Sequence, residues 1–338
     1  MKQITIHDIA KKLKISSSTV SRALQNSDRV SLETRKKVNA IAKELNYSPN
    51  TAAANLRKGL SNTVGIIVPR INRHFFSEVI GGIEQTLNTK GFSVIACQTH
   101  ENYDLEVQNV KTLINLRVAA IFVSLSAETK EYSHYKLINE KNISLIMFDR
   151  VCGCEDIFSH KIILNDFKGA YQATKHLIER GCKRIAHLAG PMHINVYKNR
   201  YEGYIKALKD NNIQIYPELI INNCLTKEKG YEYAYNLFNN KIIPDAVFGA
   251  SDYSTLGAMM RAKDLNIKIP EDVAFVGFAN EPFTEFMHPS LSSIEQYPNI
   301  IGHEAANIFI ELIKNKELKN ISKTLYIEPE LIIRESSK

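Results

Sequence analysis

The sequence has few cysteines and no long apolar segment, and each absence excludes a class of protein. The five cysteines, at positions 97, 152, 154, 182 and 224, are odd in number and scattered, unlike a disulfide-stapled secreted domain. No run approaches the roughly 18 apolar residues of a membrane-spanning helix. The charged start MKQITIHDIAKKLK lacks the apolar core of a signal peptide. We therefore expect a cytoplasmic protein.

Motifs typical of enzymes are also absent. G-x-G-x-x-G, G-x-x-x-x-G-K-[ST] and G-x-S-x-G do not occur, and HEAAN at residues 303–307 lacks the second zinc ligand of H-E-x-x-H. The C-x-C at Cys152 and Cys154 has no second pair to complete a metal site. Asp149 and Asp252 could form a carboxylate pair, but Asp252 could equally cap a helix. The sequence thus predicts no enzyme activity, no metal and no cofactor.

Positive charge is concentrated at one end of the chain. The 338 residues, 44% apolar and 23% charged, predict a globular protein of two or three domains. Residues 1–58 contain twelve Lys and Arg against four Asp and Glu, a net charge of +8, whereas the remainder has 31 against 32, a net charge of −1. Such asymmetry favours a polyanionic partner for the N-terminal segment, although a basic solvated surface also explains it.

Three short helices are predicted before residue 49. Thr5 and Asp8 form a capping-box pattern ahead of an apolar stripe, and Ser16 is a natural N-cap for a second helix only three or four residues later. A third helix is expected from Ser31 to the residues before Pro49. This spacing predicts a helix-turn-helix, whose second helix enters the DNA major groove. A three-helix bundle for protein contacts would explain the apolar stripes but not the charge.

The candidate DNA-binding residues lie on the second helix and beside it. Ser16 caps the helix, while Ser17, Ser18 and Arg22 point away from its apolar stripe and are predicted to face base edges. An arginine can donate two hydrogen bonds to guanine, whereas short hydroxyls tolerate several bases. The predicted phosphate contacts are Thr19, Ser21, His7, Asn26 and Arg29.

The remainder of the chain predicts an α/β fold. After Gly59, short β-branched runs alternate with helix-length amphipathic stretches: TVGIIVP, FSVIAC, AAIFVS, ISLIMF, RIAHLA, AVFGA and VAFVGF. This alternation indicates βαβ units and parallel sheets, whose ligands bind beyond the carboxyl ends of the strands. The segments at those ends are Pro69 to Phe76, Ser124, Asp149 with Arg150, Gly190 to His193, Ser251 with Asp252, and Asn280 with Glu281.

The motifs T-I-x-D-I-A, T-V-S-R, R-V-S-x-x-T-R and Y-x-P-N occur in this order, without gaps, over about fifty residues. They resemble the DNA-binding domain of the lactose-repressor (LacI/GalR) family of bacterial transcription regulators. In that family a hinge helix follows, and a leucine from each protomer wedges into the minor groove. The resemblance implies that role for Leu56 and a DNA contact for Asn50, although Ala54 stands where an arginine is usual.

The second part of the chain is similar to the regulatory core of the same family. VGIIVPRINRHFFSEVIGGIE, MFDR, HLIERGCKRIAHLAGP, NRYEGYIKAL, SDYSTLG, IPEDVAFVGF and PSLSSIEQ carry this resemblance. It implies a two-lobed fold similar to periplasmic sugar-binding proteins, with an effector between the lobes. The implied domains are a helix-turn-helix domain at 1–48, a hinge and linker at 49–60, and a core at 61–338. The N-lobe is expected at 61–163 and 292–322 and the C-lobe at 164–290 and 324–338, with crossings near 162–166, 289–293 and 321–326.

The resemblance also implies effector-binding positions. Arg200 matches the arginine that grips effector hydroxyls or carboxylates, and the family's cleft positions fall on Phe75, Phe76, Ser124, Asp149, Asp252 and Gln296. Three positions depart from the family pattern: Ser251 replaces an asparagine, Ala279 an aspartate and Leu225 an aromatic residue.

The departures change the expected chemistry of the effector. Losing a carboxylate at Ala279 removes an acceptor for sugar hydroxyls, while Arg200 is kept and His193 and Arg70 or Arg73 lie nearby in the pattern. We therefore expect an effector with negative charge, such as a sugar acid or sugar phosphate. Asn280, beside Ala279 at a strand end, is a further candidate contact.

Together these features predict a homodimeric, sequence-specific transcriptional regulator of carbohydrate metabolism, with repression favoured over activation. Its partners would be pseudo-palindromic double-stranded operator DNA and a small-molecule effector. Two alternatives share parts of the pattern. A carbohydrate-binding transport protein shares the core but not the DNA-binding head, and a sugar-processing α/β enzyme shares the sheets but requires catalytic motifs.

Overall fold

The computed structural model describes residues 4–24, 26–45, 47, 61–154, 156–315, 317–318 and 321–338. The chain divides into two compact units, residues 1–61 and 62–338. The predicted hinge contacts Asn50 and Leu56 lie outside the described residues. Among the residues that are described, no helix is both long and apolar enough to cross a bilayer.

The first unit contains a helix-turn-helix followed by a third helix. Its helices are α1 (Ile6–Leu13), α2 (Ser17–Leu24) and α3 (Leu32–Glu44). Both predicted serine caps are present, since the Ser16 hydroxyl accepts a hydrogen bond from the Thr19 amide at 3.1 Å and the Ser31 hydroxyl accepts one at 3.3 Å. Lys14, in the left-handed conformation, ends α1 and lets the chain turn into α2.

The apolar stripes of the three helices meet in one small core. The buried residues of this core are Ile9, Ala10, Val20, Ala23, Val30, Val38 and Ala42. All of them except Val30, which lies between α2 and α3, recur at helical spacing within the three helices.

The second unit alternates strands and helices. In chain order its elements are β1 (Thr63–Val68), α4 (His74–Asn88), β2 (Ser93–Gln98), α5 (Tyr103–Asn115), β3 (Ala120–Val123), α6 (Ser133–Glu140), β4 (Ser144–Phe148), β5 (His160–Leu164), α7 (Asp166–Glu179), β6 (Ile185–Leu188), α8 (Asn195–Asp210), β7 (Ile220–Ile221), α9 (Lys227–Phe238), β8 (Ala246–Gly249), α10 (Asp252–Asp264), β9 (Ala274–Ala279), α11 (Phe283–Phe286), β10 (Ser292–Glu295), α12 (Pro298–Lys314), β11 (Thr324–Ile327) and β12 (Glu330–Ile332).

The strands form two six-stranded sheets, one in each lobe. The first has the order β11-β5-β4-β3-β1-β2 and the second β12-β10-β9-β8-β6-β7. Every neighbouring pair is parallel except β10 and β12. Helices cover both faces of each sheet, so residues of one strand alternate between two cores; Ile66 packs on one side of the first sheet and Ile67 on the other.

The chain crosses between the lobes three times, but two crossings lie later than predicted. The first follows β5 at residue 165, inside the predicted 162–166. Ser292–Glu295 pairs with β9, so the second crossing follows residue 295 instead of 289–293. Thr324–Ile327 pairs with β5 in the first lobe, so the third crossing is at 328–329 instead of 321–326. The predicted boundary between 290 and 292 and the one between 322 and 324 were therefore wrong, because short strands of mixed polarity were not recognised.

Helices α4 and α12 pack against each other through paired glycines. A Cβ atom on Gly82 would lie 2.6 Å from the Asn299 carbonyl oxygen, and one on Gly302 would lie 2.3 Å from the Val79 carbonyl oxygen. Such contacts leave no room for a side chain. The glycines thus set how closely the two helices that cover the first sheet approach.

Candidate functional site

A cavity of about 570 Å³ lies between the two lobes of the second unit. Its walls come from the segments that follow the carboxyl ends of strands in both sheets, as expected for parallel α/β sheets. A volume of this size holds a small organic molecule. Six of the predicted effector-binding residues line it: Phe75, Phe76, Asp149, Arg200, Ser251 and Gln296.

Arg200 reaches the cavity floor from the middle of α8. Its Nε donates to Asp166 Oδ1 at 2.8 Å, its Nη2 forms an ion pair with the same oxygen at 2.7 Å, and its Nη1 donates to the Ala250 carbonyl at 2.7 Å. The guanidinium also lies 3.7 Å from the centre of the Phe278 ring. Burial raises the pKa of Asp166 to about 6. Nε and Nη1 of Arg200 are therefore already hydrogen-bonded within the protein.

A second buried arginine, Arg150, joins the lobes behind the cavity. Its Nη1 donates to Glu101 Oε2 at 2.7 Å, and its Nη2 donates to the Tyr197 hydroxyl at 3.2 Å. Glu101 also accepts from the amide of Ala127 at 2.8 Å. Because Tyr197 belongs to the second lobe and Arg150 to the first, this chain of bonds couples the lobes at the cavity wall.

Asp149 is the carboxylate at the centre of the first lobe's wall. It follows β4, has a left-handed backbone with φ 59°, and accepts from the Ser124 hydroxyl at 3.1 Å. Burial raises its pKa. Ser124 itself is fully buried behind Asp149 and does not line the cavity, so it orients the carboxylate instead of meeting a ligand.

Three further basic residues line the mouth of the cavity. Arg70 and Arg73 lie in the loop between β1 and α4, and Lys229 lies on the first turn of α9. Within the described part of the chain none of the three has a carboxylate oxygen within 4.0 Å. The Arg73 guanidinium lies 3.8 Å from the centre of the Tyr253 ring, across the gap between the lobes.

Asp252, a predicted effector contact, has a structural role. It is fully buried, its Oδ1 accepts from the Ser293 hydroxyl at 2.6 Å and its Oδ2 accepts from the Glu281 amide at 2.9 Å. It therefore ties the first turn of α10 to β10 and to the segment after β9. Burial raises the pKa of this carboxyl to about 7.

His193 and Asn280 also lie outside the cavity lining. His193 is exposed, and its Nε2 lies 2.7 Å from the Ala127 carbonyl oxygen across the interlobe gap. The Asn280 amide donates to Glu295 at 2.6 Å, and its oxygen accepts from Arg334 at 2.9 Å. The polar groups of these two side chains are already paired within the protein, and these contacts hold the loops around the cavity.

Sequence reasoning missed several lining residues. Glu101 follows β2, whose carboxyl end was left out of the predicted ligand-binding segments, so the same strand-end rule predicts it. Arg150 and Glu281 lie in segments predicted at strand ends but were not predicted as effector contacts. Tyr197 and Tyr253 lie on the first turns of α8 and α10, where their sequence spacing resembles that of core aromatic residues.

Helix α8 also begins at a clamp between the lobes. The Asn195 side chain accepts from the Val151 amide at 3.0 Å and donates to the Asp149 carbonyl at 3.0 Å. Two backbone groups of the first lobe are thereby satisfied by one side chain of the second. The clamp stabilises the observed closure of the lobes on this side of the cavity.

In the first unit, the predicted DNA-binding side chains lie on one accessible surface. Ser18 and Arg22 are exposed, as are His7 and Arg29. The Ser17 hydroxyl lies 3.0 Å from His7 Nδ1, which links the start of α2 to α1. Ser16, Thr19, Ser21 and Asn26 are exposed or half-buried around the same helix. Their contacts with DNA remain predictions.

A helix-turn-helix head and a two-lobed core with an internal cavity define a class, the DNA-binding regulators controlled by a small molecule. Residues 5–50 match the family model described as bacterial regulatory proteins, lacI family, and residues 174–337 match the periplasmic binding protein-like domain. The chain is 32% identical over 333 residues to the "HTH-type transcriptional repressor PurR" of Actinobacillus pleuropneumoniae serotype 3 (strain JL03), covering 98% of each. A PurR of Pasteurella multocida (strain Pm70) is 32% identical, covering 99% and 98%. The chain therefore belongs to the lacI family of bacterial regulatory proteins.

Solved structures show the same fold. The lac repressor dimer bound to operator and the anti-inducer ONPF matches with a TM-score of 0.86 at 24% identity, covering 99% of both chains. The transcriptional regulator CelR–cellobiose complex matches with a TM-score of 0.75 at 26% identity, covering 99% of this chain and 100% of that one. The predicted family and the predicted fold class, a helix-turn-helix head with a two-lobed parallel α/β core, are thus confirmed.

Proposed function

We propose that this protein is a transcriptional repressor whose operator affinity is set by a small anionic ligand, a sugar acid or sugar phosphate, bound in the cavity between the lobes. Membership of the lacI family and the repressor names of full-length relatives support the regulatory part. The excess of basic side chains around the cavity carries the part concerning the ligand. The basic lining residues are Arg70, Arg73, Arg150, Arg200 and Lys229, against the carboxylates Glu101, Asp149 and Glu281.

Burial raises the pKa of two of those carboxylates, Asp149 and Glu281, so the ionised form of each is less favoured than in water. With five basic side chains against three carboxylates, the lining favours an anionic ligand.

The operator would be a pseudo-palindromic duplex read by a homodimer in the cytoplasm, without catalysis. A two-fold dimer presents two copies of α2 about one helical turn apart on the DNA. A ligand that prefers one lobe arrangement shifts operator affinity by that preference, commonly about 1–3 kcal/mol. The Asn195 clamp and the Arg150–Tyr197 bond are the contacts that such a shift would strengthen or break.

Family membership leaves the ligand class open. Structures of related regulators are described with cellobiose and with ribose, while the full-length relatives are named HTH-type transcriptional repressor PurR. A role specifically in carbohydrate metabolism therefore rests on this cavity alone. Leu225 and Ala279 at its lining differ from the aromatic and carboxylate residues expected at a neutral-sugar site.

Calorimetry on the full-length protein tests the ligand class. The panel contains neutral pentoses and hexoses, their sugar acids and phosphates, and a purine base. We expect binding by acids or phosphates and not by the neutral sugars. Tight binding of a neutral sugar or the purine base, with none by the anions, would contradict the proposal.

Footprinting tests the DNA part in parallel. DNA upstream of the protein's own gene and neighbouring genes should show a protected inverted repeat that changes with the bound anion. Turnover of a sugar without any footprint would favour the enzyme alternative, and ligand binding without any footprint would favour a transport-type binding protein.

A further inference from the structure

The charged residues around the cavity fall into two sets. The inner set, Arg150 and Arg200, is 7% and 5% exposed, and each arginine is ion-paired at 2.7 Å, to Glu101 and Asp166 respectively. Both guanidiniums are therefore largely neutralised and held in place by the protein. An anionic ligand would have to compete with these internal partners, which makes the inner end poorly suited to a doubly charged group.

The outer set has the opposite character. Arg70, Arg73 and Lys229 have no ion-pair partner within 4.0 Å among the described residues, and all three line the cavity. Arg70 and Lys229 are exposed, while Arg73 is half-buried against the Tyr253 ring. Lys229 Nζ donates only to the Asn223 carbonyl, at 3.2 Å. These cations retain free hydrogen-bonding capacity toward the cavity mouth.

Arg73 lies between the two lobes, close to the starts of α9 and α10. It helps to lower the pKa of Glu281, although burial outweighs it and raises that pKa overall. It also contributes to lowering the pKa of Glu228, behind the larger effects of hydrogen bonds from the Glu228 amide and the Thr226 hydroxyl. The Arg73 guanidinium therefore belongs to the first lobe but interacts with side chains on the first turns of two helices of the second lobe, Glu228 on α9 and Tyr253 on α10.

Three helices begin at this end of the cavity. The N-cap residues of α4, α9 and α10 are Arg73, Thr226 and Ser251, and all three line the cavity. The positive ends of the helix dipoles at these termini add to the charge of the basic side chains. Glu281 is the carboxylate that lines the cavity near them, and burial raises its pKa.

We propose that the mouth is a phosphoryl-binding subsite formed by Arg73 and Lys229 with Arg70, so that the effector is a phosphorylated sugar. This rests on the proposed function and narrows it from anions in general to phosphate monoesters. A phosphoryl group has three outer oxygens and nearly two negative charges, so cations from both lobes can bind it together. A carboxylate has one charge and two coplanar oxygens, which a single arginine satisfies. The sugar would then extend inward to Asp149, Phe76 and Tyr197.

The subsite is tested with inorganic phosphate on the full-length protein. The variants are Arg73→Gln, Lys229→Gln and the double variant. The matched controls are Arg180→Gln, at the end of α7, and Lys241→Gln, beyond the end of α9; both residues are exposed and neither lines the cavity. Calorimetry is performed with phosphate and with acetate at equal ionic strength, and far-UV circular dichroism verifies that each variant is folded.

We expect phosphate to bind the wild type and both controls with equal affinity and acetate to bind at least tenfold more weakly. Each mouth variant should weaken phosphate binding at least tenfold. Undetectable phosphate binding by the wild type, equal binding of acetate, or unchanged phosphate binding in the double variant would overturn the subsite.

A second arm separates this inference from the proposed function. Sugar phosphates that bind the double variant as tightly as the wild type would overturn the subsite and leave an anionic effector in place. Neutral sugars that bind while every anionic sugar fails would overturn the proposed function, whatever the result with inorganic phosphate.

Discussion

Replacing Arg200 by methionine would test how the buried charges of the cavity floor are balanced. Methionine fills much of the same volume but donates no hydrogen bond. It would leave Asp166, which is 1% exposed, without the hydrogen bond from Nε at 2.8 Å and without the ion-pair contact to Nη2 at 2.7 Å. Its Oδ2 already has no hydrogen-bond partner among the described residues. The variant would therefore contain an uncompensated buried carboxylate.

The expected cost follows from that geometry. Removing one partner of a buried ion pair destabilises a protein by about 3–5 kcal/mol, since the remaining charge stays desolvated. Asp166→Asn in the same chain removes that charge, so the double variant should recover at least half of the loss. A result of this kind would show that Arg200 stabilises the fold through Asp166 as well as lining the cavity.

The loss should also depend on pH. Burial raises the folded-state pKa of Asp166 to about 6 even beside Arg200, from an ordinary value of 3.8. Without the arginine this pKa rises further, so the folded variant binds a proton more readily than the folded wild type. Proton binding by Asp166 stabilises the folded state at low pH, and this contribution to the free energy of unfolding is lost as pH rises through the folded-state pKa. The difference between wild type and Arg200→Met should therefore be larger at pH 8 than at pH 5.

Urea denaturation at these two pH values measures both effects. Because the sequence contains no tryptophan, the transition is followed by far-UV circular dichroism. An Arg200→Met variant within about 1 kcal/mol of the wild type at pH 8 would refute the reasoning, given the expected 3–5 kcal/mol. A double variant no more stable than the single one would refute it equally.

Three other outcomes are expected. In urea denaturation, Gly82→Ala should destabilise the protein by about 1–3 kcal/mol, because its Cβ would lie 2.6 Å from the Asn299 carbonyl. The control Gly81→Ala, with open space around it, should be neutral or stabilise by up to about 1 kcal/mol. Equal effects of the two substitutions would contradict the close packing of α4 against α12. Arg22→Ala should cost about 1–3 kcal/mol of operator affinity and relax preference at one base pair in binding assays on operator variants, whereas uniform weakening would make Arg22 a phosphate contact. Burial raises the pKa of Asp252 to about 7, so the contribution of this carboxyl to the free energy of unfolding should fall as pH rises from about 4 to 7. Asp252→Asn should therefore make the slope of the unfolding free energy against pH less negative in that range; an unchanged slope would assign it to another group.

Local patterns along the sequence predicted the elements that depend on local chemistry. Serine caps at Ser16 and Ser31 and the helical apolar stripes of the head are present in the structure. The seven β-branched runs became strands, because a strand buried on both faces has a continuous apolar sequence. Strands β5, β7, β10, β11 and β12 escaped prediction. β10 and β11 contain alternating or small polar residues, and β11 pairs with β5 across more than 150 residues of chain.

The cavity was predicted in outline but not in its charge balance. Asp149 and Phe75 line it as expected, since both belong to segments that follow strand ends and such ends in a parallel sheet point to one edge; Arg200 lines it as the family resemblance implied. Asp252 stands at a strand end in the same way, yet its carboxylate points to Ser293 and the Glu281 amide. The direction of a side chain at the start of a helix depends on its torsion angles and on hydrogen-bond partners far along the chain. Its position at a strand end does not predict either.

The sequence by itself determined the helix-turn-helix, the α/β core and the excess of positive charge in the head, because these follow from periodicity, capping and composition. Its motifs determined the family through their resemblance to known members. The tertiary structure alone decided which charges are free. It pairs Arg150 with Glu101 and Arg200 with Asp166, and leaves Arg73 facing the opposite lobe. Ion pairing is set by distances of a few ångströms between residues 34 to 49 positions apart, and those distances exist only once the sheets and helices have packed.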